Sequence, residues 1–183
     1  MKSFYNEEEL NKIGFKTVGK NVSISKKASI YMPEKIEIGN NVRIDDFCIL
    51  SGNIKLGDYV HISAFTALYG KYGIEIGNFC GCSPRCTIFS ATDDFSGEYM
   101  ISPMVPHELT NVINGKIIFE DFVQLGANSI VMPNVILKEG VAVGALSFVN
   151  RSLESWHIYA GIPCKQIKER SKNIIQISKK IEY

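Results

Sequence analysis

The chain has 183 residues, of which 20 are Lys or Arg and 19 are Asp or Glu, so that its formal net charge is +1. This length is typical of one domain with a hydrophobic core that needs no disulfide bonds. The balanced charge gives no extended positive field, which argues against nucleic acid as a partner. We find no apolar run of membrane length and no cleavable signal, so we expect a cytoplasmic protein without membrane insertion.

The first element in chain order is a short helix. Asn6 and Glu9 form a capping pair before Leu10 and Ile13, and Gly14 provides a stop signal. We therefore predict a helix over residues 7–13, within an N-terminal segment 1–17 that covers one end of the domain.

A repeat of six residues dominates the rest of the chain. An aliphatic or similar residue returns every six positions from Val18 to Ile88, with two-residue slippages near Ile36 and Ile74, and again from Phe119 to Val149; a compact side chain follows most of them four positions later. A helix repeats at 3.6 residues and a half-buried strand at 2, so a period of six fits neither alone. Three hexads can form one coil, and stacked coils form a parallel β-helix. We predict one all-β domain over residues 1–183, with coils over 18–92 and 117–154.

The residues between the inward positions predict the corners of the coils. Gly, Asn and Asp recur there, as in Gly39-Asn40-Asn41, Gly57-Asp58 and Gly77-Asn78, and we expect them to supply conformations that bulkier residues resist. Four cysteines, namely Cys48, Cys80, Cys82 and Cys86, fall on inward positions. We interpret them as thiols packed in the core and not as metal ligands.

The segment 93–116 interrupts the hexads completely. It contains Asp93, Asp94, Pro103, Pro106 and His107 where repeat residues would otherwise stand. A loop this long in a compact domain is usually functional. We therefore expect it to carry part of the active site.

The tail, residues 155–183, is predicted to be a linker followed by a helix. Ile167, Ile174, Ile177 and Ile181 are spaced as on one face of an amphipathic helix beginning near Lys165. We expect this helix to pack back on the coils, with Lys165 and Lys168 close enough to meet a phosphate.

Several segments resemble the hexapeptide-repeat acyltransferases. Ile38-Gly39-Asn40-Asn41-Val42 and Ile76-Gly77-Asn78-Phe79-Cys80 are the clearest repeats. The segments 144–151 and 159–165 resemble the family's two closing motifs, in the same order and at a similar separation. The resemblance implies a left-handed parallel β-helix, a homotrimer with shared active sites, and acetyl-CoA as the acyl donor without a metal.

The resemblance also implies an acetyl-CoA site. In the galactoside and maltose acetyltransferase branch, the matching positions line that site, which carries over to Ala127, Ala145, Asn150, Arg151 and Lys165. The hexad register adds Gly126 and Gly144, because small residues stacked on one face leave a groove. We expect backbone N–H groups at Gly126-Ala127 and Gly144-Ala145 to bind the pantetheine chain or a developing oxyanion.

The catalytic base is the point at which the chain departs from that branch. The loop histidine of the galactoside enzymes has no counterpart here. Residues 60–62 and 90–97 instead resemble a sugar-modifying branch associated with the synthesis of surface polysaccharides such as lipopolysaccharide. A sugar hydroxyl needs a base when it attacks a thioester, and His61 points out of a rigid strand. His107, in the loop, is the second candidate.

Other polar residues complete the predicted site. Asp93 or Asp94 could orient the imidazole or hold the sugar. Ser63 beside His61, and Ser83 at the matching position of the next coil, are predicted to contact the acceptor.

These observations favour an O-acetyltransferase that acts on a sugar or glycan. N-acetylation of an amino-sugar nucleotide is the nearest alternative, since a neutral amine needs no strong base. A metal-dependent hydratase of the same fold and a scaffold without catalytic activity are further alternatives.

Overall fold

A computed structural model describes residues 3–181. Its helices are α1, Glu7–Ile13, and α2, Asn173–Ser178, with 3-10 turns at Pro33–Lys35 and His107–Leu109. The strands in chain order are β1 Thr17–Val18, β2 Ser23–Ile24, β3 Ser29–Tyr31, β4 Ile36–Ile38, β5 Arg43–Ile44, β6 Ile49–Leu56, β7 His61–Ile62, β8 Ala67–Ile76, β9 Gly81–Cys82, β10 Thr87–Phe89, β11 Ala91–Thr92, β12 Ile113–Asn114, β13 Ile117–Phe119, β14 Gln124–Leu125, β15 Ile130–Val131, β16 Ile136–Leu137, β17 Ala142–Val143, β18 Phe148–Val149, β19 His157–Gly161 and β20 Cys164–Glu169.

The N-terminal helix has the bounds that its capping residues predict. The Asn6 side chain accepts from the backbone N–H of Glu9, and the Glu9 carboxylate accepts from the backbone N–H of Asn6. The helix ends at Gly14, which is left-handed with φ +87°. Leu10 is its buried residue and joins the core of the coils.

The strands stack in parallel into the three faces of a β-helix. On one face, β2, β5, β7, β9, β14, β17 and β19 pair in that order, and we call this the second face. The inward residues of successive coils are therefore paired, as Ile44 is with Ile62 and Ile62 with Cys82. The phase survives the interruption of the repeat, because Leu125 pairs with both Cys82 and Val143.

The core is the set of inward hexad positions. From Ile38 onward these residues are buried, whereas Val18 and Ile30 in the first coil are half-buried. The four inward cysteines are free and buried, as predicted, and Cys164 joins them. Burial raises the pKa of Cys48 and Cys86 to about 11 and that of Cys80 to about 12, so these thiols are protonated at neutral pH. The predicted all-β parallel β-helix is confirmed.

The corners follow the prediction in part. Asn41 and Asn128 are left-handed as expected, but the same conformation also falls on aromatic residues at several corners, including Tyr59, Phe79 and Phe122, whose φ values lie between 55° and 62°. Phe79 stacks on Tyr59 and on Phe122 with ring centroids 4.9 and 5.1 Å apart. Gly57 is needed for another reason, since a Cβ there would lie 2.7 Å from Asn78 Oδ1 and 2.9 Å from the Gly77 carbonyl carbon.

The interruption of the repeat is an excursion closed by its own small sheet. Strand β11 pairs antiparallel with β12, with Ala91 opposite Asn114 and Thr92 opposite Ile113. The excursion proper is therefore 93–112, slightly shorter than the predicted loop. Strand β13 then resumes the coils by pairing with β8.

The predicted C-terminal helix is wrong over most of its length. Strand β19 continues the second face by pairing parallel with β17, and β20 returns antiparallel along β19. The open edge of β19 gives residues 164–169 a backbone partner, which outweighs their helical spacing. Arg170, directly after β20, ties the hairpin to the coils, because its Nη1 donates to the carbonyl oxygens of Phe122 and Gly140 at 2.7 and 3.0 Å.

The remaining helix, α2, is short and has no buried residue. The isoleucines predicted to pack on the coils are therefore mostly outside the core, and Ile167 and Ile177 are exposed. Within residues 3–181, no helix is both long enough and apolar enough to cross a membrane.

Candidate active site

The second face presents two outward columns of side chains. Residues before each inward position form one column, and residues after it form the other, because a strand alternates its sides. The first column is Arg43, His61, Gly81, Gln124 and Ala142. The second is Asp45, Ser63, Ser83, Gly126 and Gly144. Charged and imidazole groups thus lie toward the N-terminal coils, and small residues toward the C-terminal coils.

His61 is paired with a carboxylate that the sequence analysis did not single out. Its Nε2 lies 2.7 Å from Asp45 Oδ2, and Arg43 Nε donates to Asp45 Oδ1 at 2.7 Å. Burial acts to raise the pKa of Asp45, but the hydrogen bonds from Arg43 and His61 outweigh it, so the pKa lies below its usual value. Asp45, and neither Asp93 nor Asp94, therefore orients this imidazole.

Ser83 is held by a side chain from the next coil. Gln124 Nε2 donates to Ser83 Oγ at 3.2 Å. Because the Ser83 oxygen accepts from this amide, its own proton is available for another acceptor. Gly81 makes this arrangement possible, since a Cβ there would lie 2.5 Å from Gln124 Oε1.

The excursion forms a depression of about 340 Å³ together with residues of β8 and β11. Its polar lining includes Lys71, Asp93, Ser102, His107 and Thr110. The structure thus brings two predicted catalytic residues, Asp93 and His107, to one depression. His61 and Ser83 are not part of its lining.

Asp94 is occupied in holding the excursion. Its Oδ1 accepts from the backbone N–H of Ser96 at 2.6 Å, and its Oδ2 accepts from Asn111 Nδ2 at 2.7 Å. These hydrogen bonds keep the pKa of Asp94 below its usual value. Both carboxylate oxygens are engaged within the excursion, so the geometry gives Asp94 a structural role.

Only part of the predicted donor groove is available to a ligand. The N–H groups of Gly126 and Gly144 donate to the carbonyl oxygens of Val143 and Tyr159 at 2.8 Å, so, contrary to expectation, these two groups are not available to a ligand. The N–H groups of Ala127 and Ala145 find no acceptor within residues 3–181. These two residues lie on neighbouring coils, because Ala127 O accepts from the N–H that follows Ala145.

The other predicted coenzyme residues lie at the C-terminal end of the coils. Asn150 and Arg151 are exposed just after β18, and Lys165 is exposed on β20 opposite Ala160. Burial raises the pKa of the Cys164 thiol, and the charge of Arg151 partly offsets this effect. Arg151 therefore lies near Cys164, the residue that precedes Lys165.

Among residues 3–181, no group of three or more His, Cys, Asp and Glu side chains is arranged to hold a metal ion.

Comparison with known proteins identifies the family. Residues 35–70 match the family described as bacterial transferase hexapeptide (six repeats). The chain is 44% identical to the dTDP-4-amino-4,6-dideoxy-D-glucose acyltransferase of Escherichia coli over 178 residues, which cover 96% of this chain and 93% of that protein. The chain belongs to the hexapeptide-repeat acyltransferases. Its coils are consistent with the left-handed β-helix of that family.

Two further relatives are similar to this chain at a higher and a lower identity. AntD, an N-acyltransferase from Bacillus cereus solved in complex with dTDP and 3-hydroxybutyryl-CoA, is 54% identical with a TM-score of 0.96, covering 98% of this chain and 96% of AntD. The putative lipopolysaccharide biosynthesis O-acetyl transferase WbbJ of Escherichia coli K12 is 30% identical, over 80% of this chain and 74% of WbbJ. The higher identities belong to proteins named for amino-sugar or N-acyl transfer.

Sequence reasoning identified the hexapeptide-repeat fold but missed several polar residues of this acyltransferase. Asp45 could have been found by alternation, because it follows the inward Ile44 as Ser63 follows Ile62. Gln124 had the correct register but no assigned role. Lys71 gave no signal, since its place beside Asp93 depends on how the excursion folds back.

Proposed function

We propose that the protein is an N-acyltransferase that moves an acyl group from acyl-CoA to the amine of a dTDP-linked amino sugar. The names of two relatives support this acceptor, one a dTDP-4-amino-4,6-dideoxy-D-glucose acyltransferase and the other the N-acyltransferase AntD. The amine is favoured over the sugar hydroxyl that the sequence analysis preferred. Such a product would serve the synthesis of surface polysaccharides.

One observation carries the proposal. AntD has been solved with its serine substituted and, separately, with an aspartate ten positions further along substituted, in complexes with dTDP, its amino-sugar derivative or coenzyme A. In the present chain, Ser83 and Asp93 are the only serine and aspartate with that separation in that order. Both are predicted site residues, and both are partly exposed.

These two residues suit acyl transfer to an amine. Asp93 can accept a hydrogen bond from the acceptor amine and take up its proton, while the free proton of Ser83 can stabilise the charge that develops on the thioester group. The N–C bond forms, the C–S bond breaks, and the proton lost by nitrogen ends on the thiolate. A neutral amine is a stronger nucleophile than a hydroxyl, so this reaction does not need the missing loop histidine.

The acyl-CoA donor would lie along the small residues of the second face. The N–H groups of Ala127 and Ala145 would meet the pantetheine chain, and Arg151 and Lys165 would meet the coenzyme's phosphates. AntD was solved with 3-hydroxybutyryl-CoA, so acyl groups longer than acetyl belong in the substrate screen.

We also propose a homotrimer with sites shared between chains. Ser83 follows a strand of the second face, whereas Asp93 follows β10 and β11, so the two lie on different sides of one coil stack. A neighbouring chain could bring its Asp93 to Ser83. The large exposed apolar residues of the excursion, such as Phe95 and Met104, would be covered by the same contact.

The test is an acyl-transfer assay followed by mass spectrometry. dTDP-4-amino-4,6-dideoxyglucose and matched sugars that carry only hydroxyls are incubated with acetyl-CoA or 3-hydroxybutyryl-CoA. We expect acylation of the amine alone, and losses of about a hundredfold or more in turnover for Ser83→Ala and for Asp93→Asn. Ser23→Ala, which removes a hydroxyl three coils away on the second face, is the control. Acylation of hydroxyl sugars only would restore the O-acetyltransferase alternative.

Shared sites have their own test. Hybrids of Ser83→Ala and Asp93→Asn chains, prepared by co-expression, should regain part of the wild-type rate because some interfaces receive both intact residues. A light-scattering mass of one chain would exclude the trimer.

A further inference from the structure

Ser83 is held by hydrogen bonds at its backbone as well as at its hydroxyl. Its N–H donates to the Leu125 carbonyl oxygen at 2.8 Å, and its own carbonyl oxygen accepts from Thr66 Oγ1 at 3.1 Å. Thr66 lies in the preceding coil and is fully buried, and Leu125 lies in the following coil. Both neighbouring coils therefore fix the backbone of Ser83, and the bond from Gln124 Nε2 acts on its hydroxyl.

A backbone carbonyl decides which way the Gln124 amide is oriented. Besides donating to Ser83 Oγ, Nε2 lies 3.4 Å from the carbonyl oxygen of Leu125, which can only accept a hydrogen bond. The opposite orientation of the amide would place Oε1 against this carbonyl oxygen, so that two acceptors would face each other. Nε2 is therefore the atom that faces the serine, and the Ser83 oxygen accepts from it. The proton of Ser83 is directed to a group outside this pair.

The neighbouring serine on the second face shows what this amide adds. Ser63 occupies in the preceding coil the place that Ser83 occupies in its own. The residue of the next coil that would reach Ser63 is Gly81, whereas for Ser83 it is Gln124. In the part of the chain that the structure describes, the Ser63 hydroxyl has no side-chain partner. A fixed hydroxyl is thus particular to Ser83 of these two serines.

We infer that Gln124 is a positioning residue that makes Ser83 a hydrogen-bond donor to the thioester oxygen of the acyl donor, and not a contact for the acceptor amine. This inference rests on the proposed function. A thioester oxygen that gains negative charge accepts hydrogen bonds, so it suits a serine whose proton is free. A proton directed at the amine would instead occupy the lone pair that forms the new N–C bond. The amine is therefore left to Asp93.

The experiment reverses the polarity of the hydrogen bond between Gln124 and Ser83. In Gln124→Glu, a carboxylate of the same shape accepts the serine proton, so kcat should fall by about a hundredfold, the cost of one oxyanion donor. In Gln124→Met, the side chain forms only weak hydrogen bonds and leaves the hydroxyl free to turn, so the loss should be less than about tenfold. The KM for the amino sugar should stay within about twofold in both variants. Gln176→Glu, which makes the same change on the exposed side of α2, is the matched control.

A double variant shows whether Gln124 acts through Ser83. The chain that carries both Ser83→Ala and Gln124→Glu should be at most about twofold slower than Ser83→Ala alone, because the carboxylate has no serine proton left to accept. A direct effect of the new charge on the reacting group would instead multiply with the loss of the serine. Thermal melting and calorimetric titration with coenzyme A check that each variant folds and binds the coenzyme normally.

The outcomes separate this inference from the proposed function. A normal kcat in Gln124→Glu, an equal loss in Gln124→Met, or multiplied losses in the double variant overturns the role of Gln124 and leaves the proposed function standing. A raised KM for the amino sugar with normal kcat would assign Gln124 to the acceptor and overturns that role as well. Acylation of hydroxyl sugars alone overturns the proposed acceptor. The same variants then test Gln124 on those sugars, because the thioester oxygen is common to both reactions.

Discussion

Inward residues of the coils are buried between neighbours of the same column, whereas the large apolar residues of the excursion face solvent. Ile62 pairs with Ile44 below and Cys82 above and is fully buried. In the excursion, Phe95 and Met104 are 84% and 89% exposed. The coils are thus stabilised by burial of apolar surface, and the excursion by its closing ladder and by short polar contacts such as those of Asp94.

The difference teaches where function can be placed in a repeat protein. A residue inside a coil is constrained by two neighbouring coils, so it has little freedom to take on chemistry. A segment that leaves the stack is free of that constraint. The residues proposed to act on the acceptor, Ser83 and Asp93, lie on the outer surface of a coil and at the start of the excursion.

The largest expected effect comes from placing the same charge in each region. Ile62→Asp should yield no folded protein, because an unpaired buried carboxylate costs several kcal/mol of a total stability of about 5–15 kcal/mol. Phe95→Asp should leave the Tm within about 2 °C of wild type. Circular dichroism and thermal melting measure both. A soluble Ile62→Asp chain with a normal Tm would contradict the description of the coils.

Removing the excursion should separate folding from activity. We expect a chain in which residues 95–110 are replaced by a short Gly-Ser linker to fold with the wild-type circular dichroism spectrum, because every inward position and the β11–β12 ladder remain and loop closure depends only weakly on length. Turnover should vanish, since the Asp93 depression loses Ser102 and His107. Binding of coenzyme A is the control, because Ala127 and Ala145 lie elsewhere. Failure of this chain to fold would show that the excursion is structural.

The imidazole of the second face gives a smaller effect. His61 is half exposed and held by Asp45, and an amine acceptor needs no strong base, so His61→Ala should lower kcat by less than about tenfold. Asp45→Asn, which leaves the ring but changes its partner, should behave similarly. A loss of a hundredfold or more in His61→Ala, with normal affinity for coenzyme A, would instead identify His61 as the general base.

The smallest effect concerns the buried thiols. All five cysteines should be unreactive toward a thiol reagent at pH 8 in the native protein and should react fully in denaturant. Burial raises the pKa of these thiols above the value in the unfolded chain. Their contribution to the free energy of unfolding is therefore fully present below about pH 8.5 and is lost as the pH rises toward 11–12. Melting curves between pH 7 and 10.5 measure this fall, and Cys86→Ala should reduce it. Rapid native labelling at pH 8 would argue against their burial.

The repeat made the coils predictable, because each inward residue is specified by its own hexad. The first helix was equally clear from Asn6, Glu9 and Gly14. The tail was not, because residues 164–169 have a helical spacing but find a backbone partner in β19, a contact that no local pattern reveals. The aromatic corners were missed for a related reason, since stacking between coils accompanies the left-handed conformation of Tyr59 and Phe79.

The candidate site was predictable only where it follows the coil register. Ser83 was identified by register, and Asp93 by its place at the start of the excursion. The depression around Asp93 was not, because Lys71, Ser102 and His107 line it only once the excursion folds back over β8. The N–H groups of Ala127 and Ala145 are free to bind a ligand, whereas those of Gly126 and Gly144 are not. This difference likewise depends on which backbone groups the next coil binds.

The hairpin of β19 and β20 also ends the stack of parallel strands on the second face. The last parallel strand of a β-helix would otherwise present a row of unpaired N–H and C=O groups, on which another molecule could continue the stack. Here that edge is taken by β20, which runs in the opposite direction and exposes Lys165, Lys168 and Glu169. On the second face, β20 thus blocks the edge at which a further chain could add to the stack and start a fibre.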